Sequence, residues 1–87
     1  MLINLFRFNP NKNSMTIADL DSGQRAVIKR IDISHPSSFR IIEYGFTPGQ
    51  EIEIINKSIF NDPLSVSLRG ALIAIRRNDA KCIEVML

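Results

Sequence analysis

The clearest order in the chain is a strict alternation of apolar and polar residues. Leu64, Val66 and Leu68 alternate with Ser65, Ser67 and Arg69, the period of a strand with one face on a core. Ile52 and Ile54 alternate with Glu51 and Glu53 in the same way. Two more apolar stretches follow, Leu72 to Ile75 and Cys82 to Met86, joined by Arg77-Asn78-Asp79-Ala80, which reads as a short turn or a single 3₁₀ turn. Gly70-Ala71 permits a tight return ahead of Leu72. Arg25 to Ile33 is rich in β-branched residues but out of phase, because Ile28 and Ile31 stand three apart. A bulge near Lys29-Arg30 would bring both inside.

Between these strands lies a helix with a readable end. Ser34-His35-Pro36-Ser37-Ser38 is a loop ending in helix-capping residues, and the helix is expected from Ser37 or Ser38 to Tyr44. Gly45 suits the left-handed position just past a helix end, where a Cβ would clash. Thr47 precedes a proline and is biased towards extended geometry. Pro48-Gly49 fits the central pair of a type II turn, with proline fixing φ and glycine allowing φ > 0. Ile41 and Tyr44 share one helical face, and Phe39 and Ile42 share a neighbouring one. Two turns of helix cannot bury both faces in a small core, so Phe39 and Ile42 are candidates for exposed apolar contact residues.

The pattern as a whole predicts a mostly β protein: a small barrel of about five strands with a short helix inserted after the first. Closure, or near closure, would remove unpaired strand edges. The apolar opening Leu2 to Phe8 is set apart by the polar break Asn9-Pro10-Asn11-Lys12-Asn13-Ser14. Residues 1–14 are therefore read as an N-terminal extension and 15–87 as the domain. Within the domain, Thr16 to Leu20 is a turn or helical lead-in closed by Asp21-Ser22-Gly23.

Composition changes this picture little. Eighty-seven residues suit one domain, and 45% apolar and 23% charged residues are ordinary for a globular protein. A net charge of +2, with basic residues scattered among acids, describes a solvated face rather than a phosphate-binding stripe. One cysteine, Cys82, excludes an internal disulfide framework and fits a reducing compartment. A spanning helix needs about 20 mainly apolar residues, and no segment offers that. The opening also lacks a basic leader and a cleavage site, so the expected location is the cytoplasm.

Candidate chemistry is sparse. A zinc site wants three or four nitrogen or sulfur ligands, and the chain has one histidine, His35, and one cysteine. His35, Glu43 and Asp62 could serve ferrous iron only without any supporting spacing. One histidine cannot be matched to a nucleophile and an orienting acid. Asp19 and Asp21 read as turn caps, and Asp62 as a loop residue bonding its own backbone. Gly23, Gly45, Gly49 and Gly70 are isolated, so no phosphate-cradling loop is present. The expectation is no enzyme, no metal site and no cofactor.

The run Arg40-Ile41-Ile42-Glu43-Tyr44-Gly45-Phe46-Thr47-Pro48-Gly49 resembles the core motif of the ferrous iron transport protein A (FeoA) family. Leu20-Asp21-Ser22-Gly23, Phe60-Asn61-Asp62-Pro63-Leu64 and Ile75-Arg76-Arg77-Asn78-Asp79-Ala80 agree in order and spacing, so the resemblance covers Thr16 to Val85. Ile59 and Asn61 depart from it, standing where the family often has proline and glycine. The resemblance implies an SH3-like barrel and a small cytosolic accessory role. It also implies a partner: the cytoplasmic part of a GTPase-linked ferrous iron permease (FeoB-like). Ile41 and Tyr44 fall on the motif's apolar positions and should face the barrel. Phe39, Arg40, Ile42 and Glu43 are then the partner-binding candidates, and Gly45, Pro48 and Gly49 the structural motif. A second copy of the chain is a further candidate partner, with neither nucleic acid nor membrane insertion expected. Two alternatives stay open: a regulatory module resembling the C-terminal domain of iron-dependent repressors, and a small RNA-binding barrel.

Overall fold

The structure is a computed structural model, and it describes residues 5–6, 14–57 and 62–87, with the side chains of Leu5, Phe6 and Lys57 excepted. Ile59 and Asn61 lie outside the described residues, as does most of the N-terminal extension.

Five principal strands carry the fold: β3 (Arg25–Asp32), β4 (Glu51–Lys57), β5 (Leu64–Leu68), β6 (Ala71–Ile75) and β7 (Ile83–Met86). Two short ones precede them, β1 (Leu5–Phe6) and β2 (Met15–Thr16). The strands form one sheet in the order β2-β7-β3-β4-β5-β6, with β1 pairing parallel to β3 at Ile31 and Asp32. All other pairings are antiparallel. Two short helices complete the fold, α1 (Ser38–Glu43) between β3 and β4 and α2 (Arg77–Ala80) between β6 and β7. The residues 77–80 thus form an α-helical turn rather than a 3₁₀ one. A 3₁₀ turn at Ile17–Asp19 fills the lead-in, with Asp19 Oδ2 accepting the Thr16 N–H at 2.9 Å.

The out-of-phase isoleucines are reconciled by a register shift between Ile28 and Arg30, and both Ile28 and Ile31 are buried. A second shift falls between Ile54 and Asn56 and leaves Ile55 exposed; the residue pattern did not signal it. The core gathers the inward residues of all five principal strands, including Ile28, Ile52, Ile54, Leu64, Val66, Ile75 and Ile83, with Ile17 and Leu20 from the lead-in and Ile41 and Phe46 from the helical insertion. Three hundred and sixty degrees of pairing is not completed among the described residues. The path ends at β2 and β6, so the edge that closure was expected to remove is still there on β6.

The β5–β6 hairpin turns on Arg69 and Gly70, with φ of +53° and +82°. Two central residues at positive φ make a type I′ turn, whose twist matches that of the flanking strands. The turn therefore starts one residue earlier than Gly70-Ala71, with arginine in the left-handed region.

Candidate functional site

The helical insertion is built from local rules. Gly45 has φ +106°, its N–H donates to Ile42 O at 2.9 Å, and the Phe46 N–H donates to Ile41 O at 3.3 Å. These two bonds are a Schellman cap, which satisfies carbonyls that the helix end leaves orphaned. Gly49 has φ +92°, and the Gln50 N–H donates to Thr47 O at 3.2 Å, as a type II turn at Pro48-Gly49 requires. The turn then docks on the sheet: Gly49 N–H donates to Ile28 O at 2.8 Å, and Ile28 N–H to Gln50 O at 2.9 Å.

The cap decides which aromatic side chain enters the core. Tyr44, expected to face the barrel, is 48% exposed, whereas Phe46 is fully buried. The reversal at Gly45 brings Phe46 back beside Ile41, the usual apolar partner across such a cap. Tyr44 is left at the rim, half exposed. The inward face of α1 is instead Ser38 and Ile41, and the Ser38 hydroxyl donates to Ile33 O at 3.3 Å.

Of the four partner-binding candidates, three are on the surface. Phe39 is 71% exposed, and Arg40 and Glu43 are exposed too. Ile42 is half-buried and packs against the core, so it offers the surface only an edge. Arg40 is also a tether. Its Nη2 lies 3.2 Å from Asp79 Oδ2 on α2 and donates to Ser37 Oγ at 3.3 Å. The Glu43 side chain has no hydrogen-bond or ion-pair partner among the described residues.

His35 forms a second tether. Its Nδ1 accepts the Ser37 N–H at 3.1 Å, which leaves Nε2 to donate to Asn78 O at 3.1 Å. The histidine thus joins the loop before α1 to α2, and Ser37, at the N-cap, makes no side-chain cap of its own. Asp62 likewise reaches across the chain, accepting the Arg77 N–H at the start of α2 at 2.9 Å. Sequence reasoning had confined both residues to their own loops. The signal was out of its reach, because each bond spans a long stretch of chain.

No group of three His, Cys, Asp or Glu side chains converges among the described residues. The Cys82 thiol is buried, and its pKa is pushed up to about 12, first by burial and then by the nearby carboxylates of Asp32 and Asp79. Such a thiol is a poor nucleophile and a poor ligand. No helix is long and apolar enough to cross a membrane among the described residues.

Comparison with known proteins agrees with the motif and the fold. A Fe(2+) transport protein A from Campylobacter jejuni is 30% identical over 73 residues, 84% of this chain and 99% of that protein. A Porphyromonas gingivalis protein in which Fe(2+) transport protein A is fused to the transporter FeoB is 33% identical over 73 residues, but this chain spans only 9% of its length. The solution structure of iron(II) transport protein A from Clostridium thermocellum superposes with a TM-score of 0.78 at 33% identity, covering 84% of this chain and 45% of that one. The zinc-complexed FeoA of Stenotrophomonas maltophilia, described as a prokaryotic SH3 domain protein, gives 0.72 at 28% identity, covering 82% and 88%. The architecture is thus the SH3-like one that the motif implied. A manganese-dependent repressor shares the fold at 18% identity and a TM-score of 0.74. The FeoA domain profile matches residues 15–87, and with the capped helix, the Pro-Gly turn and the barrel it establishes that this chain belongs to the FeoA domain family of ferrous iron transport.

Proposed function

We propose that this chain is a non-enzymatic interaction module of ferrous iron uptake. Its partner is the cytoplasmic part of a GTPase-linked, FeoB-like iron permease, and it acts in the cytoplasm. The outer face of α1 is the recognition element, with Phe39 as the apolar anchor, Arg40 and Glu43 as charged contacts and Ile42 at the margin. The observation that carries this reading is the exposure of Phe39, 71%, on a helix otherwise fixed to the barrel by Ile41, the glycine cap and the Arg40–Asp79 pair. A large aromatic side chain presented by a rigid element loses little conformational freedom on binding. The fusion of a related domain to FeoB in Porphyromonas gingivalis supports the choice of partner.

The test is capture of the permease from detergent-solubilised membranes by the immobilised chain. Phe39→Ala should weaken capture by about 2 kcal/mol, roughly thirtyfold, as central aromatic anchors do, with an unchanged melting temperature. Full capture by Phe39→Ala would remove α1 from the interface. Absence of capture by the unaltered chain would sink the proposal.

A further inference from the structure

The hydrogen-bonding pattern of the hairpin shows which main-chain groups of β6 are not taken up by β5. Ala71 follows directly on a two-residue turn and pairs with Leu68, while Ile73 pairs with Val66 and Ile75 with Leu64. In such a hairpin the residue flanking the turn belongs to a hydrogen-bonded pair, and the pairs alternate from there. Ala71, Ile73 and Ile75 therefore turn their N–H and C=O groups towards β5. Those of Leu72 and Ala74 point to the open side, where the sheet has no further strand among the described residues. Leu72 is 66% exposed, and Ala71 and Ala74 are exposed as well.

Exposed edges are commonly blunted by a charge, a proline or a bulge. None of these occurs in Ala71-Leu72-Ile73-Ala74-Ile75, and the pairing with β5 is regular throughout. The flanks are another matter. Arg69 stands just before the strand, and Arg76 and Arg77 just after it, with no acid between. Among the described residues the Arg69 side chain donates to the neutral Gln50 side chain, at 3.0 Å, in a hollow it shares with Glu51 and the Arg25–Glu53 pair, and the exposed Arg76 side chain has no partner. The acids nearest the second flank are already engaged, Asp79 by Arg40 and Asp62 by the Arg77 N–H. A shallow hollow of about 200 Å³ opens beside Ala74 and Arg76, bounded on its other side by Arg40 and Tyr44 of the helical insertion.

We propose that the free edge of β6 is a strand-addition site for an extended apolar segment of a partner protein flanked by acidic residues. Main-chain bonds to Leu72 and Ala74 would hold the segment, and its acidic ends would meet Arg69 and Arg76. The charges argue against a second copy as the occupant. Antiparallel self-pairing about Ile73 would bring the Arg76-Arg77 end of one copy towards the Arg69 turn of the other, and bringing like charges together is destabilising. This surface adjoins the α1 face at Arg40 but does not use Phe39, and it does not depend on that reading.

The test uses the whole chain and the synthetic peptide Asp-Glu-Val-Thr-Val-Thr-Val-Glu-Asp, with a lysine-flanked peptide of the same centre as control. The acid-flanked peptide should bind about tenfold tighter or better and should slow amide exchange at Leu72 and Ala74. Ala74→Pro removes an N–H that the sheet does not use, so an edge strand should tolerate it, and it should weaken peptide binding about tenfold or more. Amide exchange in the unaltered chain gives an answer even if that variant folds poorly. Equal binding of the two peptides, no binding up to millimolar concentration, or protection elsewhere overturns the proposal. A concentration-dependent dimer abolished by Ala74→Pro would give the edge to a second copy and overturn it as well. Phe39→Ala should leave peptide binding unchanged, which separates this result from the permease experiment.

Discussion

Substituting Gly45 isolates two physical costs at one position. Its φ is +106°, and a Cβ built there would stand 3.3 Å from Leu68 Cδ2. Holding a non-glycine residue in so sparsely populated a region costs about 1–3 kcal/mol. Alanine recovers about 0.4–1 kcal/mol by restricting the unfolded chain. The contact with Leu68 adds a smaller penalty, since 3.3 Å requires the leucine to give by a few tenths of an ångström within a packed core. Gly45→Ala should therefore destabilise the domain by about 2 kcal/mol, and Gly45→Val by more, because a β-branched residue at positive φ is a stronger outlier. In a domain this size about 2 kcal/mol lowers the melting temperature by roughly 10 °C. The assay is urea denaturation followed by circular dichroism, with Gly49→Ala as the comparison. Gly49 has φ +92° and no atom within 4 Å of a built Cβ, so its substitution reports backbone strain without a steric partner. The excess at Gly45 should shrink in a Leu68→Val background, which lacks the offending methyl. Stability of Gly45→Ala within about 0.5 kcal/mol of the parent, the ordinary range for surface changes, would refute the left-handed cap. An excess that persists in the Leu68→Val background would refute the contact.

Glu84 and Cys82 yield two further tests. The Glu84 side chain is 5% exposed, with Arg30 Nε at 2.8 Å and Lys29 Nζ at 3.4 Å. Breaking a buried pair by removing one member costs about 3–5 kcal/mol. Since both cations reach solvent, Glu84→Leu should cost less than that, about 1–3 kcal/mol in urea melts. The double variant with Arg30→Met should recover part of the loss, and strictly additive costs would show that the pair is not coupled. The Cys82 thiol, with its pKa raised from 9.0 to about 12, should resist iodoacetamide at pH 8 until the chain unfolds. Because the folded-state pKa is raised, the stability it confers is complete below pH 9 and is lost as pH rises towards 12. The loss should approach 1.4 kcal/mol per pH unit, and Cys82→Ala should lack this slope; a parallel pH profile for the variant would contradict the assignment.

The sequence alone determined what is local in this protein. Gly45 and Pro48-Gly49 imposed their turns because positive φ and a fixed proline ring leave few alternatives, and those constraints act within a few residues. The alternation from Leu64 to Leu68 and the misphased Ile28 and Ile31 were likewise enough to place strands and a bulge, since burial on one face leaves a period in the chain. The exposed face of α1 was legible in part: Phe39, Arg40 and Glu43 are on the surface, while Ile42 is half drawn into the core. Only the tertiary structure decided the rest. The choice of Phe46 over Tyr44 for the core depends on where the glycine cap aims the chain. The tethers from His35 to Asn78, Asp62 to Arg77 and Arg40 to Asp79 join residues far apart in sequence, whose meeting no local period records. The open edge of β6 is of the same kind. Its residues read as one more apolar stretch, and whether a neighbour covers them depends on how far the sheet curls round, which is a property of all the pairings together.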